Sequence, residues 1–236
     1  MKTCIILCGG YGKRAREIDN KLPKILIRIQ KEPLLFWILK NLEKKKIKKI
    51  ILCVGYKSNH IKSYLKKNKK KFKVNIILVY ENENNLLGTG GAIKNSLKHV
   101  KTNDFFVMYG DTFLFFDINK MFDKYKKNKK PILMSIYKNN NMFYKNNIKI
   151  DGKLIYDKYD KKNKYDYIDY GLIIMNKKVF NNQPLKFDLS SLLKENSLKS
   201  NVSYFKIKKK FLEIGTLYSY KNTLKNFFKV KNEIYR

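Results

Sequence analysis

Short β-rich runs separated by helical patterns fill the first half of the chain, and this alternation constrains the fold more than any other feature. "TCIILC", from Thr3, reads as a buried strand; a glycine-bearing loop then runs to Lys24, and "ILIRI" follows. "PLLFWILKNLEKK" opens with Pro33 and sets Leu34, Leu35, Trp37, Ile38 and Leu42 on one helical side. "KIILCVGY" reads as the second strand, "SNHIKSYLKK" as a helix capped by Ser58, and "VNIILVY" as the third strand. "TGGAIKNSLKHV" begins another helix, and "DFFVMYGD" is a strand that ends on a carboxylate. Strands separated by helices imply right-handed crossovers. The expected fold class is α/β, with a Rossmann-like, doubly wound, mainly parallel sheet. After about residue 137 the texture shifts to short β-like pieces, "FYKNNIKIDGKLIYDKYD" and "DYIDYGLIIM", then a helix at "DLSSLLKEN", a strand at "VSYFKI" and a final amphipathic stretch. At 236 residues and 44% hydrophobic, the chain can bury a sizeable core. One domain over 1–236 is expected, with a first lobe over 1–137 and a smaller second lobe over 138–236.

Charge raises a different class of function. Lys and Arg number 53 against 19 Asp and Glu, a net +34, a balance that usually suggests nucleic acid or an anionic membrane surface. The cations are scattered, however, through "KKKIKK", "KKNKKKFK", "KKNKK" and "KIKKK", mostly where helices end or loops begin, as the helix dipole and solvent favour. No specific nucleic-acid partner is expected. Cys4, Cys8 and Cys53 sit in apolar runs without a C-x-x-C pair, and four strand residues put Cys4 and Cys8 roughly 13 Å apart, beyond disulfide reach. They read as buried thiols of a reducing compartment. The isolated His60 and His99 offer no histidine metal site or triad. The apolar stretch before Gly9 is too short for a signal peptide or a membrane span, so a cytoplasmic protein without a membrane partner is expected.

Open α/β sheets bind ligands at the carboxyl ends of their strands. Three such places carry chemistry: "LCGGYGKR" at 7–14, Asp111 after "FFVMYG", and "LLGTGG" at 86–91 before a helix. Glycines let backbone N–H groups approach phosphate, and Arg14 and Lys24 add full charges. The loop is neither G-x-x-x-x-G-K-[ST], given "GGYGKRA", nor G-x-G-x-x-G, since the third glycine would fall on Ala15.

"GGYGKR" followed nine residues later by "PK" resembles the signature of the sugar-1-phosphate nucleotidyltransferases, L-x-G-G-x-G-T-R-L with P-K-P-L downstream. The similarity continues in order along nearly the whole chain. "LLGTGGAI" looks like that family's second nucleotide loop, "YGDTF" like its metal-binding strand end, and "YDKYD" like its E-K-P segment; "DYGLIIM" resembles N-A-G-I-Y, and "FLEIGTLYSY" resembles F-x-D-I-G-T-P-x-D-Y.

The resemblance implies the nucleotide-diphospho-sugar transferase fold, with the first lobe binding nucleotide and the second the sugar phosphate. It implies an NTP over Leu7, Gly9, Gly10, Gly12, Lys13, Gly88 and Thr89, with Arg14 and Lys24 on the triphosphate. Asp111 and Glu213 would share a Mg²⁺ ion. Asp157, Lys158, Asp169 and Gly171 would hold the sugar 1-phosphate, Lys158 taking the phosphate. Lys13 stands where the family usually has Thr, Ala15 where it has Leu, Ile25 where it has Pro, Asp169 where it has Asn, and Glu213 where it has Asp. "CGG" leans towards guanine, with cytidylyl and uridylyl transfer as the alternative; a non-catalytic sugar-nucleotide-binding homologue is the reading of another class. The product would be an NDP-sugar for surface polysaccharide, made by a monomer or a homo-oligomer.

Overall fold

The computed structural model describes residues 2–139, 144–160 and 164–235. It divides into two compact units, one built from Met1–Leu86, Met108–Phe115 and Phe211–Arg236, the other from Leu87–Val107 and Phe116–Lys210. The lobes expected on either side of residue 137 differ from these units. A change in local texture does not register the contacts that gather 108–115 and 211–236 with the N-terminal segment.

In chain order the elements are β1 (Thr3–Leu7), β2 (Arg28–Ile29), β3 (Glu32–Pro33), α1 (Leu34–Lys44), β4 (Lys49–Val54), α2 (Ser58–Lys67) and β5 (Asn75–Tyr80). There follow α3 (Gly88–Ser96), β6 (Asp104–Tyr109), β7 (Thr112–Phe113), α4 (Ile118–Asn128), β8 (Ile132–Lys138), β9 (Ile148–Asp151), β10 (Lys153–Tyr156) and β11 (Tyr167–Asn176). The last are α5 (Leu189–Leu198), β12 (Val202–Ile207), β13 (Leu212–Glu213), α6 (Leu217–Lys225) and α7 (Phe227–Tyr235).

In the first unit β1, β4 and β5 lie side by side and parallel, from Thr3 opposite Lys49 to Leu7 opposite Cys53, and from Lys49 opposite Asn75 to Val54 opposite Tyr80. β1 and β4 are buried along almost their whole length, which is why they read as unbroken apolar runs and not as alternating ones. The apolar flank of α1 is wide, and Leu34 through Leu39 are all buried. Trp37 packs edge-on against Phe227 with ring centroids 4.8 Å apart, and Lys45 pairs with Glu233 at 2.7 Å, so α7 is held on α1 by both an apolar and a charged contact. The three cysteines are free; Cys4 and Cys53 are buried as expected, whereas Cys8, at the end of its run, is only partly buried.

Two local expectations need correction. "ILIRI" is not one strand: a 3-10 turn takes Lys24–Leu26, and only Arg28–Ile29 is extended, paired with β3 in a two-residue hairpin. Ser58 is not the cap of α2 but its first residue. Its N–H donates to the Gly55 carbonyl at 3.1 Å, and Lys57, at φ 53, takes the cap position with no side-chain bond.

In the second unit β8 is central, antiparallel to β11 and parallel to β12. β9 and β10 form a hairpin. α4 is capped by Asp117, whose carboxylate accepts from the N–H groups of Asn119 and Lys120 at 3.0 Å each. Among the described residues no helix is long and apolar enough to cross a membrane.

One buried polar contact holds the segment after residue 111. The Asn41 side chain is 1% exposed, and its Nδ2 donates to the Leu114 carbonyl at 2.9 Å. Asn41→Ala leaves that carbonyl buried and unpaired, which should cost about 1–3 kcal/mol. A urea titration is expected to show a lower midpoint at unchanged slope; an unchanged midpoint would mean that the bond contributes nothing net.

Candidate active site

The end of β1 is where the site starts. The Leu7 carbonyl accepts from the Gly110 N–H at 2.9 Å, and a Cβ on residue 110 would stand only 2.7 Å from that oxygen. Glycine is required there, and the close approach carries the next residue, Asp111, to the mouth of the glycine loop. The loop itself is tied to the end of β4, because Cys8 N–H donates to the Cys53 carbonyl at 3.1 Å and Tyr56 N–H to the Gly9 carbonyl at 3.0 Å. Gly12, at φ 58, turns the chain into the 3-10 segment Lys13–Glu17, which presents Lys13 and Arg14 in exposed positions. A side chain at Gly10 would meet nothing within 4 Å, so that stretch of backbone is open to a ligand. Tyr11 is a tether: its hydroxyl donates to the Glu83 carbonyl at 2.7 Å and its ring packs on Tyr56.

Lys24 and Asp111 meet directly, Nζ to Oδ2 at 2.8 Å, and the Thr112 hydroxyl donates to the other carboxylate oxygen at 2.8 Å. Burial pushes the Asp111 carboxyl up, but the Lys24 ammonium and these hydrogen bonds outweigh it and hold the group below its ordinary value. Ile214 N–H donates to the Asp111 carbonyl at 3.2 Å, and β13 pairs antiparallel with β7, Glu213 opposite Thr112. Glu213 is thereby fixed beside the same turn. A Cβ on Gly215 would lie 3.0 and 3.2 Å from its two carboxylate oxygens, so the glycine leaves the room in which that carboxylate folds.

These two residues suit a hard divalent cation such as Mg²⁺. One carboxylate is held ionised and the other is freed of a steric neighbour. No group of three or more potential His, Cys, Asp or Glu ligands occurs among the described residues. Mg²⁺ commonly takes only one or two protein carboxylates and completes its shell with phosphate oxygens and water.

Leu7, Gly9, Gly10, Gly12, Lys13, Arg14, Lys24, Asp111 and Glu213 thus all fall in the first unit. The remaining sequence-derived candidates fall in the second. Gly88, at φ 76, and Thr89 begin α3, and the Thr89 hydroxyl accepts from Leu189 N–H at 2.9 Å, so it caps the start of α5. Asp157 accepts from the N–H groups of Tyr159 and Asp160 and pairs with Lys194 at 2.6 Å. Burial raises the Asp157 carboxyl, but these contacts outweigh it and hold the group below its usual value. Lys158 is exposed, its Nζ 5.7 Å over the Tyr159 ring. Asp169 accepts from Gly171 N–H at 2.9 Å across the register shift in β11.

One residue escaped the sequence reading. Glu81 follows β5 directly, and its N–H donates to the Val54 carbonyl at 2.8 Å. The Cys8 thiol is pushed well above its ordinary value, first by burial, then by Cys53 and by the Glu81 carboxylate. The signal was available: Glu81 ends a parallel strand just as Asp111 ends its own.

Replacing Lys24 by Met removes the main influence that lowers the Asp111 carboxyl and leaves burial to raise it. Its titration, followed by carboxyl ¹³C NMR, is expected to move upward relative to the wild type. An unmoved titration would show that the ion pair does not keep Asp111 charged.

Comparisons with known proteins bear on the family and the fold. The family model described as nucleotidyl transferase matches residues 3–220. The D-glycero-alpha-D-manno-heptose 1-phosphate guanylyltransferase of Campylobacter jejuni is 34% identical over 226 residues, 94% of this chain and 98% of that protein. The enzyme of the same name from Aneurinibacillus thermoaerophilus is 34% identical over 132 residues, 56% of each chain. The crystal structure of HddC from Yersinia pseudotuberculosis complexed with GMP-PN superposes with a TM-score of 0.79 at 25% identity, covering 96% of this chain and 100% of that one. With a match over nearly its whole length and an α/β architecture shared with these neighbours, the chain belongs to the nucleotidyl transferase family.

Proposed function

We propose that the protein is a sugar-1-phosphate guanylyltransferase, joining GTP to a sugar 1-phosphate of the heptose or hexose type to give a GDP-sugar and pyrophosphate. The observation that carries this reading is the end-to-end match to the heptose 1-phosphate guanylyltransferase of Campylobacter jejuni. Chemistry needs no general base. The second pKa of a sugar phosphate is about 6, so its attacking oxygen is largely ionised at neutral pH. That oxygen forms a bond to the α-phosphorus, and the bond to pyrophosphate breaks in line. The protein's task is to position two polyanions and neutralise their repulsion. The loop over Leu7, Gly9, Gly10, Gly12 and Lys13 offers backbone N–H groups and charge to the triphosphate, and Lys24 and Arg14 add full positive charges, Arg14 chiefly where the leaving group gains charge. Lys158 and Asp169 are the residues proposed for the sugar phosphate, Asp157 and Gly171 holding the turn and bulge that carry them. Gly88 and Thr89 remain the candidates of the second nucleotide loop. Mg²⁺ held by Asp111 and Glu213 would supply further neutralisation of phosphate charge.

Glu81 supports guanine in particular. A carboxylate offers two acceptors to the paired N–H donors on the N1 and N2 edge of guanine, a pattern that uracil and cytosine lack. The GDP-sugar would serve surface-polysaccharide synthesis in the cytoplasm.

A matrix of four NTPs against a panel of sugar 1-phosphates with Mg²⁺, scored by pyrophosphate release, tests the reaction; no turnover with any pair would overturn it. Arg14→Ala should lower kcat about 10²- to 10³-fold with little change in KM. A raised KM at wild-type kcat would make Arg14 a binding residue only. Glu81→Gln should lower kcat/KM for GTP about 5- to 150-fold relative to other NTPs. An unchanged preference would remove Glu81 from base selection.

A further inference from the structure

A cleft of about 580 Å³ in the first unit has no part in the site described above. It is walled by the β2–β3 hairpin and by α2 with the turn after it, and neither the glycine loop, Asp111 nor Glu213 lines it. Leu22, Leu26 and Pro33 give it apolar surface. Arg28 and Lys31 reach it from the hairpin and Lys67 from α2. Its one carboxylate, Glu32, is already engaged: Lys71 pairs with it at 2.6 Å and the Tyr64 hydroxyl donates to its other oxygen at 3.4 Å. Three other cations of this unit have carboxylate partners, Lys24 with Asp111, Lys40 with Glu43 and Lys45 with Glu233. Among the described residues, Arg28, Lys31 and Lys67 have no carboxylate partner.

We propose that this cleft is a second binding site, for a small molecule of the nucleoside diphosphate class. Its volume lies within the usual range for such ligands. Three unmatched cations suit a diphosphate ester, which carries about −3 near neutral pH, one charge on the inner phosphate and nearly two on the outer. Arg28 supplies a fork for two phosphate oxygens, and Lys31 and Lys67 act as point charges from either wall. The apolar surface of Leu22, Leu26 and Pro33 takes the organic part of the ligand, which inorganic pyrophosphate lacks. This assignment stands apart from the proposed reaction and is read without turnover.

Trp37 provides the readout. It is the chain's only tryptophan, and its indole N–H donates to the carbonyls of Ile29 at 3.1 Å and Glu32 at 3.2 Å, so it is bonded to both strands of the hairpin that carries Arg28 and Lys31. GDP titrated into the full-length protein is expected to give a saturable change in Trp37 emission, unchanged in Arg14→Ala. In a variant combining Arg28→Gln with Lys67→Gln the apparent affinity should fall at least about 10-fold, since charged phosphate contacts are lost. Circular dichroism melts of that variant should match the wild type, because both side chains line an open cleft. Inorganic pyrophosphate should give the same change at several-fold higher concentration. Silence of Trp37 would overturn the proposal. So would a response that keeps wild-type affinity in the double variant, which would place GDP at the glycine loop alone, or equal affinity for GDP and pyrophosphate, which would deny the organic part any contact.

Discussion

Strands β1, β4 and β5 run in one direction, and the rest of the first unit follows from that constraint. In a parallel array every carboxyl end emerges at the same edge, so the glycine loop after Leu7, the turn at Gly55 and Glu81 are delivered there together. The close approach of Gly110 to the Leu7 carbonyl then adds Asp111 to the same edge. No long-range design is needed beyond strand direction and a residue without a side chain at one contact.

Charge within that edge is organised against an unusual background. With 53 cations and 19 acids in the chain, a carboxylate is the scarce partner, and a lysine beside one is unremarkable. What distinguishes Lys24 is that its ammonium is largely withdrawn from solvent, at 16% side-chain exposure, and fixed by the turn after Pro23. An ammonium held in place needs little reorganisation when a phosphate arrives, which is the condition under which electrostatic stabilisation is most effective.

Much of this was legible in the chain, for identifiable reasons. β1 and β4 announce themselves because strands buried on both faces must be apolar throughout, and Asp111 stands out as a carboxylate at the end of such a strand. Glu81 was obscured because "ENEN" has the composition of a solvated loop, although its position relative to β5 obeys the same rule. Glu213 came from a resemblance alone, since β13 is two residues long and carries no periodicity. The capping role of Thr89 depends on Leu189, a hundred positions away, and Ser58 lost its cap to a turn set by Gly55. Local pattern reports local structure, and these outcomes were decided by pairing at a distance.

The division of the chain into units has a consequence in time. The first unit draws on three separate stretches and the second on two, so the polypeptide passes from one to the other four times. Asp111 leaves the ribosome 102 residues ahead of Glu213, an interval of roughly 5–20 s at ordinary elongation rates of about 5–20 residues per second. Throughout that interval β7 has no β13 to pair with, and its edge is open to any other strand. The first unit therefore cannot mature as an independent N-terminal domain. Its completion waits for residues 211–236, and a chain released before residue 211 carries the lysine and aspartate without the strand that closes the turn beside them.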